Sequence, residues 1–203
     1  MIYRVENISN NNFTSLLYTE AYECMSKDRR KKADRLLNEE DKRLCVFSDW
    51  LLREMLTAEG ISNPELYTDE KGKPFIKGNP LYFNISHSGT FIACAIDTKP
   101  LGIDIEVYRE ISAALTKHIC TDDETKFIFK TSDNINDTDT LKRFFSVWTA
   151  KEAYLKCTGE GLSGGLKNIS VAAKDGIKER LSPNHKLLHT ATDDYALSIV
   201  TSI

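Results

Sequence analysis

The sequence predicts an α+β fold. Three observations carry it: apolar residues at helical spacing across 39–59, three alternating segments between 81 and 107, and a second alternating set after 168. In chain order, 1–5 reads as a short strand and 13–25 as a helix with Phe13, Leu16, Leu17, Tyr22 and Met25 at its apolar positions. The densest basic run follows, Lys27-Asp28-Arg29-Arg30-Lys31-Lys32. In 39–59, Leu44, Phe47, Leu51 and Met55 recur at three- and four-residue steps, Val46 and Trp50 widen the stripe, and Gly60 closes it. Lys71-Gly72-Lys73-Pro74 marks a turn ahead of Phe75-Ile76. Residues 81–86, 91–97 and 101–107 read as strands separated by His87-Ser88-Gly89 and Thr98-Lys99-Pro100. The Asp-, Asn- and Thr-rich stretch 131–140 reads as a loop. Residues 144–156 read as a helix stopped near Gly159, and 168–172, 186–192 and 195–201 as strands.

Composition bounds what such a chain does. With 203 residues, 41% of them apolar and 28% charged, it buries a core without metal or disulfide staples. The net charge of −3 argues against a generic nucleic-acid binder, whose phosphate contacts come with a strongly basic domain. No apolar run approaches the ~20 residues of a membrane helix, and residues 1–7 hold no signal-peptide core. Neither nucleic acid nor membrane is therefore expected as a partner. Cys24, Cys45, Cys94, Cys120 and Cys157 are odd in number, scattered and without a CxxC pair. They suggest reduced thiols in a cytoplasmic protein rather than a disulfide framework or a zinc site.

The most informative stretch is Gly102-Ile103-Asp104-Ile105-Glu106. On a strand, Asp104 and Glu106 point the same way, with Ile103 and Ile105 toward the core. Gly102 shares the carboxylate face and leaves space there for a bound group. Two carboxylates on one face repel unless a cation lies between them; oxygen-only ligands favour Mg²⁺ or Mn²⁺ over zinc. The plain alternative is the solvated edge of a half-exposed strand. In Trp148-Thr149-Ala150-Lys151-Glu152-Ala153-Tyr154-Leu155-Lys156, Glu152 and Lys156 share a helical face. They are either a surface ion pair or a third carboxylate for the metal and a cation for an anion. Ser86, His87 and Ser88 end a strand ahead of Gly89, a set of donors suited to phosphate or, equally, a polar hairpin turn. The basic run, Arg43 and Lys73 offer further cations. No G-x-S-x-G elbow, Walker A loop or G-x-G-x-x-G pattern occurs, so a phosphate site here needs discrete cations and a metal.

Taken in order, these motifs resemble the 4′-phosphopantetheinyl transferases of the Sfp type. The likeness rests on Gly72-Lys73-Pro74, then Phe83-Asn84-Ile85-Ser86-His87-Ser88, then Gly102-Ile103-Asp104-Ile105-Glu106. The last is Trp148-Thr149-x-Lys151-Glu152-Ala153-x-x-Lys156-x-x-Gly159-x-Gly161-Leu162. The resemblance implies a pseudo-two-fold arrangement of two similar α+β halves, 1–100 and 101–203, with the active site at their interface. It implies transfer of the 4′-phosphopantetheine arm of coenzyme A to a serine of an acyl or peptidyl carrier protein, with release of adenosine 3′,5′-bisphosphate. It further implies Mg²⁺, with Mn²⁺ as a substitute, held by Asp104, Glu106 and Glu152, and catalysis by Glu152 as base and Lys156 on phosphate. Lys31, Arg43, Lys73, Ser86 and His87 are expected to hold coenzyme A, and a monomer is expected because one chain carries both halves. The rival readings are a catalytically inactive binder of coenzyme A and carrier protein, and a Mg²⁺-dependent hydrolase of nucleotide pyrophosphates. Lys117-His118-Ile119-Cys120 stands where many relatives carry an Arg/Lys-Phe-Phe-like run, a departure that bears on carrier contacts.

Overall fold

The computed structural model describes all residues except 63, 69–73, 79–80 and 162–164. Gly72 and Lys73 of the first motif, and Leu162 of the last, lie outside the described residues. The chain divides into two compact units, Met1–Thr98 and Lys99–Ile203.

The first unit opens with strand β1 (Ile2–Asn7), followed by helices α1 (Ser15–Cys24), α2 (Lys27–Asp34) and α3 (Glu39–Ala58). Strands β2 (Leu66–Thr68), β3 (Pro74–Ile76), β4 (Tyr82–Ser88) and β5 (Phe91–Asp97) complete it. The β4–β5 hairpin and β1 form an antiparallel sheet in the order β1-β5-β4. Leu44, Phe47, Leu51, Leu52 and Met55 of α3 pack on Phe83, Ile92, Cys94 and Ile96 of that sheet. Each such side chain removed from water stabilises the unit by about 1.5–3 kcal/mol. Cys45 and Val46 turn instead toward Ala21, Met25 and Ala33 of α1 and α2. The widened apolar stripe of α3 thus serves two layers at once. The basic run proves to be a helix, α2, with Ser26 as N-cap accepting from the Arg29 N–H.

The second unit repeats the course. It opens with β6 (Leu101–Val107), continues through α4 (Ala113–Ile119), α5 (Asp122–Ile128) and α6 (Thr138–Thr158), and ends in the hairpin β10 (His185–Ala191) and β11 (Tyr195–Ser202). Short strands β7 (Ala172–Ala173), β8 (Gly176–Ile177) and β9 (Arg180–Ser182) lie between. The sheet order is β6-β11-β10-β9. Helix α6 lies across β6 and β11 and buries Phe144, Phe145, Val147, Ala150, Ala153 and Cys157 with Ala196 and Val200.

Helices α4 and α5, of seven residues each, are too short to show a helical period in the sequence. Two expectations need correction. The polar stretch 131–140 is only partly loop: Asp137 accepts from the Asp139 and Thr140 amides, and α6 starts at Thr138. Of residues 168–172 only Ala172 lies in a strand, the two-residue β7, because the backbone before it is claimed elsewhere. The Leu166 and Ile169 carbonyls accept from Lys151 Nζ, and the Val171 N–H donates to Glu124. Among the described residues no helix is long and apolar enough to cross a membrane. Cys45, Cys94, Cys120 and Cys157 are buried thiols, while Cys24 is exposed. Burial pushes the Cys120 thiol up to about 12.

Candidate active site

In the second unit, register decides which side chains meet. Gly102, Asp104 and Glu106 stand opposite Val200, Ser198 and Ala196 of β11, on the face that α6 covers. Ile103 and Ile105 pair with Ile199 and Leu197 on the other face; all four are buried. The carboxylates are therefore on the helix-covered side rather than along a solvated edge, and Asp104 is only 5% exposed.

The space at Gly102 is filled by the protein itself. A Cβ there would overlap the carbonyl oxygen of Ala153 and meet the Cys157 nitrogen at 2.5 Å and Lys156 Cβ at 2.8 Å. The expected room for a ligand is instead a seat for the backbone of α6. That seat lowers the last turns of α6 onto β6. Lys156 Nζ then donates to Asp104 Oδ1 at 2.6 Å and to the Ile103 carbonyl at 3.2 Å.

Glu152 lies one turn before Lys156. Its Oε1 is buried and has no hydrogen-bond partner among the described residues. Burial, then the charge of Asp104, hold its carboxyl above the ordinary range; Lys156 opposes them and Glu106 adds to them. Glu106 Oε2 accepts from Arg109 Nη1 at 2.7 Å, and the Arg109 guanidinium stands over the Phe145 ring at 5.1 Å. So Asp104, Glu106, Glu152 and Lys156 form one electrostatic cluster. Among the described residues no three acidic, His or Cys side chains are arranged as a ready metal cage.

The remaining motif lysine points away from this cluster. Lys151, fully buried, pairs with fully buried Glu124 at 2.7 Å and donates to the Leu166 and Ile169 carbonyls. Glu124 also accepts from the Thr121 and Val171 amides. Every group in the pair is satisfied, which is what a buried charge requires.

In the first unit, a cavity of about 460 Å³ is lined by Arg29 and Lys32 of α2, Asp41, Cys45 and Ser48 of α3, and His87 of β4, with Leu36, Pro74, Asn84 and Ile85. Arg29 is held in place: its Nε donates to Asp49 Oδ1 at 3.1 Å, and Asp49, 1% exposed, also accepts from Arg53 Nε at 2.7 Å. Two guanidiniums around one carboxylate leave the group net positive beside the cavity. The expected phosphate residues are placed as follows. His87 lines the cavity. Ser86 is buried on the opposite face of β4, in register with Ala93, because neighbours on a strand alternate. Lys31 does not line the cavity; it faces solvent in an ion pair with Asp28 at 3.7 Å. Arg43 stands at a separate cavity of about 110 Å³ with Ser9, Glu40 and Thr90, donates to the Ile8 and Phe13 carbonyls and lies over Phe47. Arg29 and Lys32 belong to the basic run that the sequence offers for phosphate, although the residue expected from that run is Lys31; Ser48 is not singled out by the sequence. A basic helix presents a cation on every face, and only the packing of Ala33 against α1 and α3 tells which face looks inward.

Comparison with known proteins gives a consistent result. The family model of the 4′-phosphopantetheinyl transferase superfamily matches residues 100–200. A 4′-phosphopantetheinyl transferase of Bacillus subtilis is 32% identical over 190 residues, covering 87% of this chain and 81% of its own. The 4′-phosphopantetheinyl transferase Sfp of Bacillus subtilis strain 168 is 34% identical over 152 residues, covering 72% of this chain and 66% of its own. The 4′-phosphopantetheinyl transferase HetI of Nostoc is 30% identical over 188 residues, covering 87% and 77%.

Proposed function

This chain belongs to the 4′-phosphopantetheinyl transferase superfamily, and we propose that it moves the 4′-phosphopantetheine arm of coenzyme A onto a serine of an acyl or peptidyl carrier protein. The observation that carries the reading is the cluster of Asp104, Glu106 and Glu152 with Lys156 at the meeting of β6 and α6.

The donor set suits a hard cation. It is oxygen only, burial and then the charge of Asp104 raise the Glu152 pKa, and it includes a buried carboxylate oxygen without a partner among the described residues. Asp104, Glu106 and Glu152 would hold Mg²⁺, or Mn²⁺ in its place. When bound, that ion offsets the negative charge of the coenzyme A pyrophosphate.

The chain's own residues do the rest. Glu152, with its raised affinity for protons, takes the proton of the carrier serine. The serine oxygen forms a bond to the phosphorus next to the pantetheine arm. The bond from that phosphorus to the bridging oxygen breaks, and adenosine 3′,5′-bisphosphate leaves with the electron pair. Lys156 exchanges Asp104 for a phosphate oxygen and stabilises the charge that develops there. In the first unit, Arg29, Lys32 and His87 hold the adenosine phosphates, and Lys73 keeps the coenzyme A role that its motif implies. Asp49 keeps Arg29 in position for this. Lys31, Arg43 and Ser86 are assigned no phosphate, since they do not line that cavity.

The test is incubation with coenzyme A, Mg²⁺ and a panel of apo carrier proteins, followed by intact-protein mass measurement. The reading expects one phosphopantetheine added to the carrier serine and an equal amount of adenosine bisphosphate. Release of adenosine bisphosphate without any carrier would indicate hydrolysis instead. Binding of both partners without turnover would indicate an inactive binder.

A further inference from the structure

Besides its apolar packing, helix α6 is fastened to its sheet at three points that bear on the acidic cluster among the described residues. Two have been described: the seat at Gly102 and the bond from Lys156 to Asp104. The third lies two turns earlier. Thr149 Oγ1 is 2.8 Å from Ser198 Oγ, and both residues are fully buried. Ser198 Oγ is in turn 3.0 Å from His189 Nδ1. Thr149 Oγ1 also lies 3.4 Å from the Ser146 carbonyl oxygen. The three side chains form one hydrogen-bonded chain that runs from β10 through β11 to α6.

Its position matters more than its length. Ser198 is the register partner of Asp104 across β6 and β11. On α6, Thr149, Glu152 and Lys156 sit at i, i+3 and i+7, one face of the helix. Glu152 thus lies between two polar fastenings, Thr149–Ser198 before it and Lys156–Asp104 after it. The function proposed above, on which this inference rests, asks Asp104 to take a cation and Lys156 to take a phosphate. The second fastening is then given up. The Thr149–Ser198–His189 chain is then the polar fastening beside Glu152 that remains, with the Gly102 seat and the apolar packing of α6 on β6 and β11, to hold Glu152 against Asp104.

We propose that Thr149 and Ser198, backed by His189, are positioning residues that keep Glu152 and Asp104 in register once Lys156 has left Asp104 for substrate. Their effect belongs to the loaded state. In the metal-free protein the Lys156–Asp104 bond supports the same helix, so their loss there is partly covered.

The test compares Thr149→Val, which keeps the shape, with Thr149→Ser, which keeps the hydroxyl, and with Ser198→Ala, which leaves α6 untouched. Three quantities are measured: Mn²⁺ affinity in the presence of coenzyme A by calorimetry, steady-state transfer, and melting of the metal-free protein. Thr149→Val and Ser198→Ala are expected to weaken Mn²⁺ binding and lower kcat by about tenfold each, the scale of one buried hydrogen bond. KM for coenzyme A stays within about twofold, because neither residue is assigned an adenosine phosphate. Thr149→Ser restores both quantities. Wild-type Mn²⁺ affinity and kcat in both Thr149→Val and Ser198→Ala would overturn the proposal, as would a Thr149→Ser variant as impaired as Thr149→Val. A wild-type protein that neither binds Mn²⁺ nor transfers would instead sink the functional reading beneath it.

Discussion

Ile2, Arg4 and Glu6 hold the register positions in the first unit that Gly102, Asp104 and Glu106 hold in the second. In each unit the opening strand pairs with the last strand, and these three residues share the face of the long helix. The chemistry differs at every one of them. Arg4 and Glu6 neutralise each other at 2.6 Å, both partly exposed. Asp104 and Glu106 have no such mutual cancellation, and each takes its cation from elsewhere, Lys156 and Arg109. Ile2 is 47% exposed, whereas Gly102 lies against the backbone of α6. One missing side chain lets a helix settle over the opening strand and brings Glu152 and Lys156 to the acidic pair. In the first unit α3 instead packs on β5 and β4, and its cations gather at the cavity beneath α2. The same course of chain thus gives an acidic site in one unit and a basic one in the other.

The comparison can be broken in order of effect. Lys151→Met leaves Glu124 charged and buried, and is expected to cost about 3–5 kcal/mol of stability; adding Glu124→Leu should return much of it. Chemical denaturation reads both. Gly102→Ala pushes on helix backbone and should destabilise by about 3 kcal/mol, while Ile2→Ala at the matching position changes melting little. In the cavity, Arg29→Ala, Lys32→Ala and His87→Ala should each raise KM for coenzyme A about tenfold with kcat nearly unchanged. Lys31→Ala should stay within about twofold of wild type, the usual fate of an exposed pair. Equal effects of Lys31 and Lys32 would erase the distinction between the two faces of α2. Smallest of all, Arg4→Ala should leave transfer within about twofold.

Glu152 supplies a pH test. Its folded-state pKa is raised, first by burial and then by Asp104. The stability it lends is present below the ordinary value near 4.3 and is lost as pH rises through the raised one. In chelator, Glu152→Gln should melt with wild type at about pH 4 and above it at neutral pH. Identical melting at both pH values would mean that burial and Asp104 do not raise the Glu152 pKa.

Strong periodicity was legible in the sequence. The stripe of α3 and the alternation of β4, β5, β6, β10 and β11 are set locally, by which residues can face a core. What was not legible depends on partners far along the chain. Residues 168–172 alternate like a strand, yet Lys151 and Glu124 hold their backbone. The space at Gly102 was clear from the sequence, but its occupant was not, since α6 follows some fifty residues later. The separation of Ser86 from His87 was available from strand alternation, the same rule that put Asp104 beside Glu106. The order of the motifs carried the family, while the choice among Arg29, Lys31 and Lys32 needed the packing of α2.

Asp104 is the carboxylate on which the acidic cluster most depends, since it meets both Lys156 and Glu152. Asp104→Asn keeps the shape and the bond from Lys156 but removes the charge that the cluster offers a cation. With wild-type protein, coenzyme A and Mg²⁺, the mass of an apo carrier should rise by one phosphopantetheine. The Asn variant, folded by circular dichroism, should do this at least about a thousandfold more slowly, about 4 kcal/mol in barrier. Transfer by Asp104→Asn at the wild-type rate would contradict the assignment of the acidic cluster as the catalytic centre.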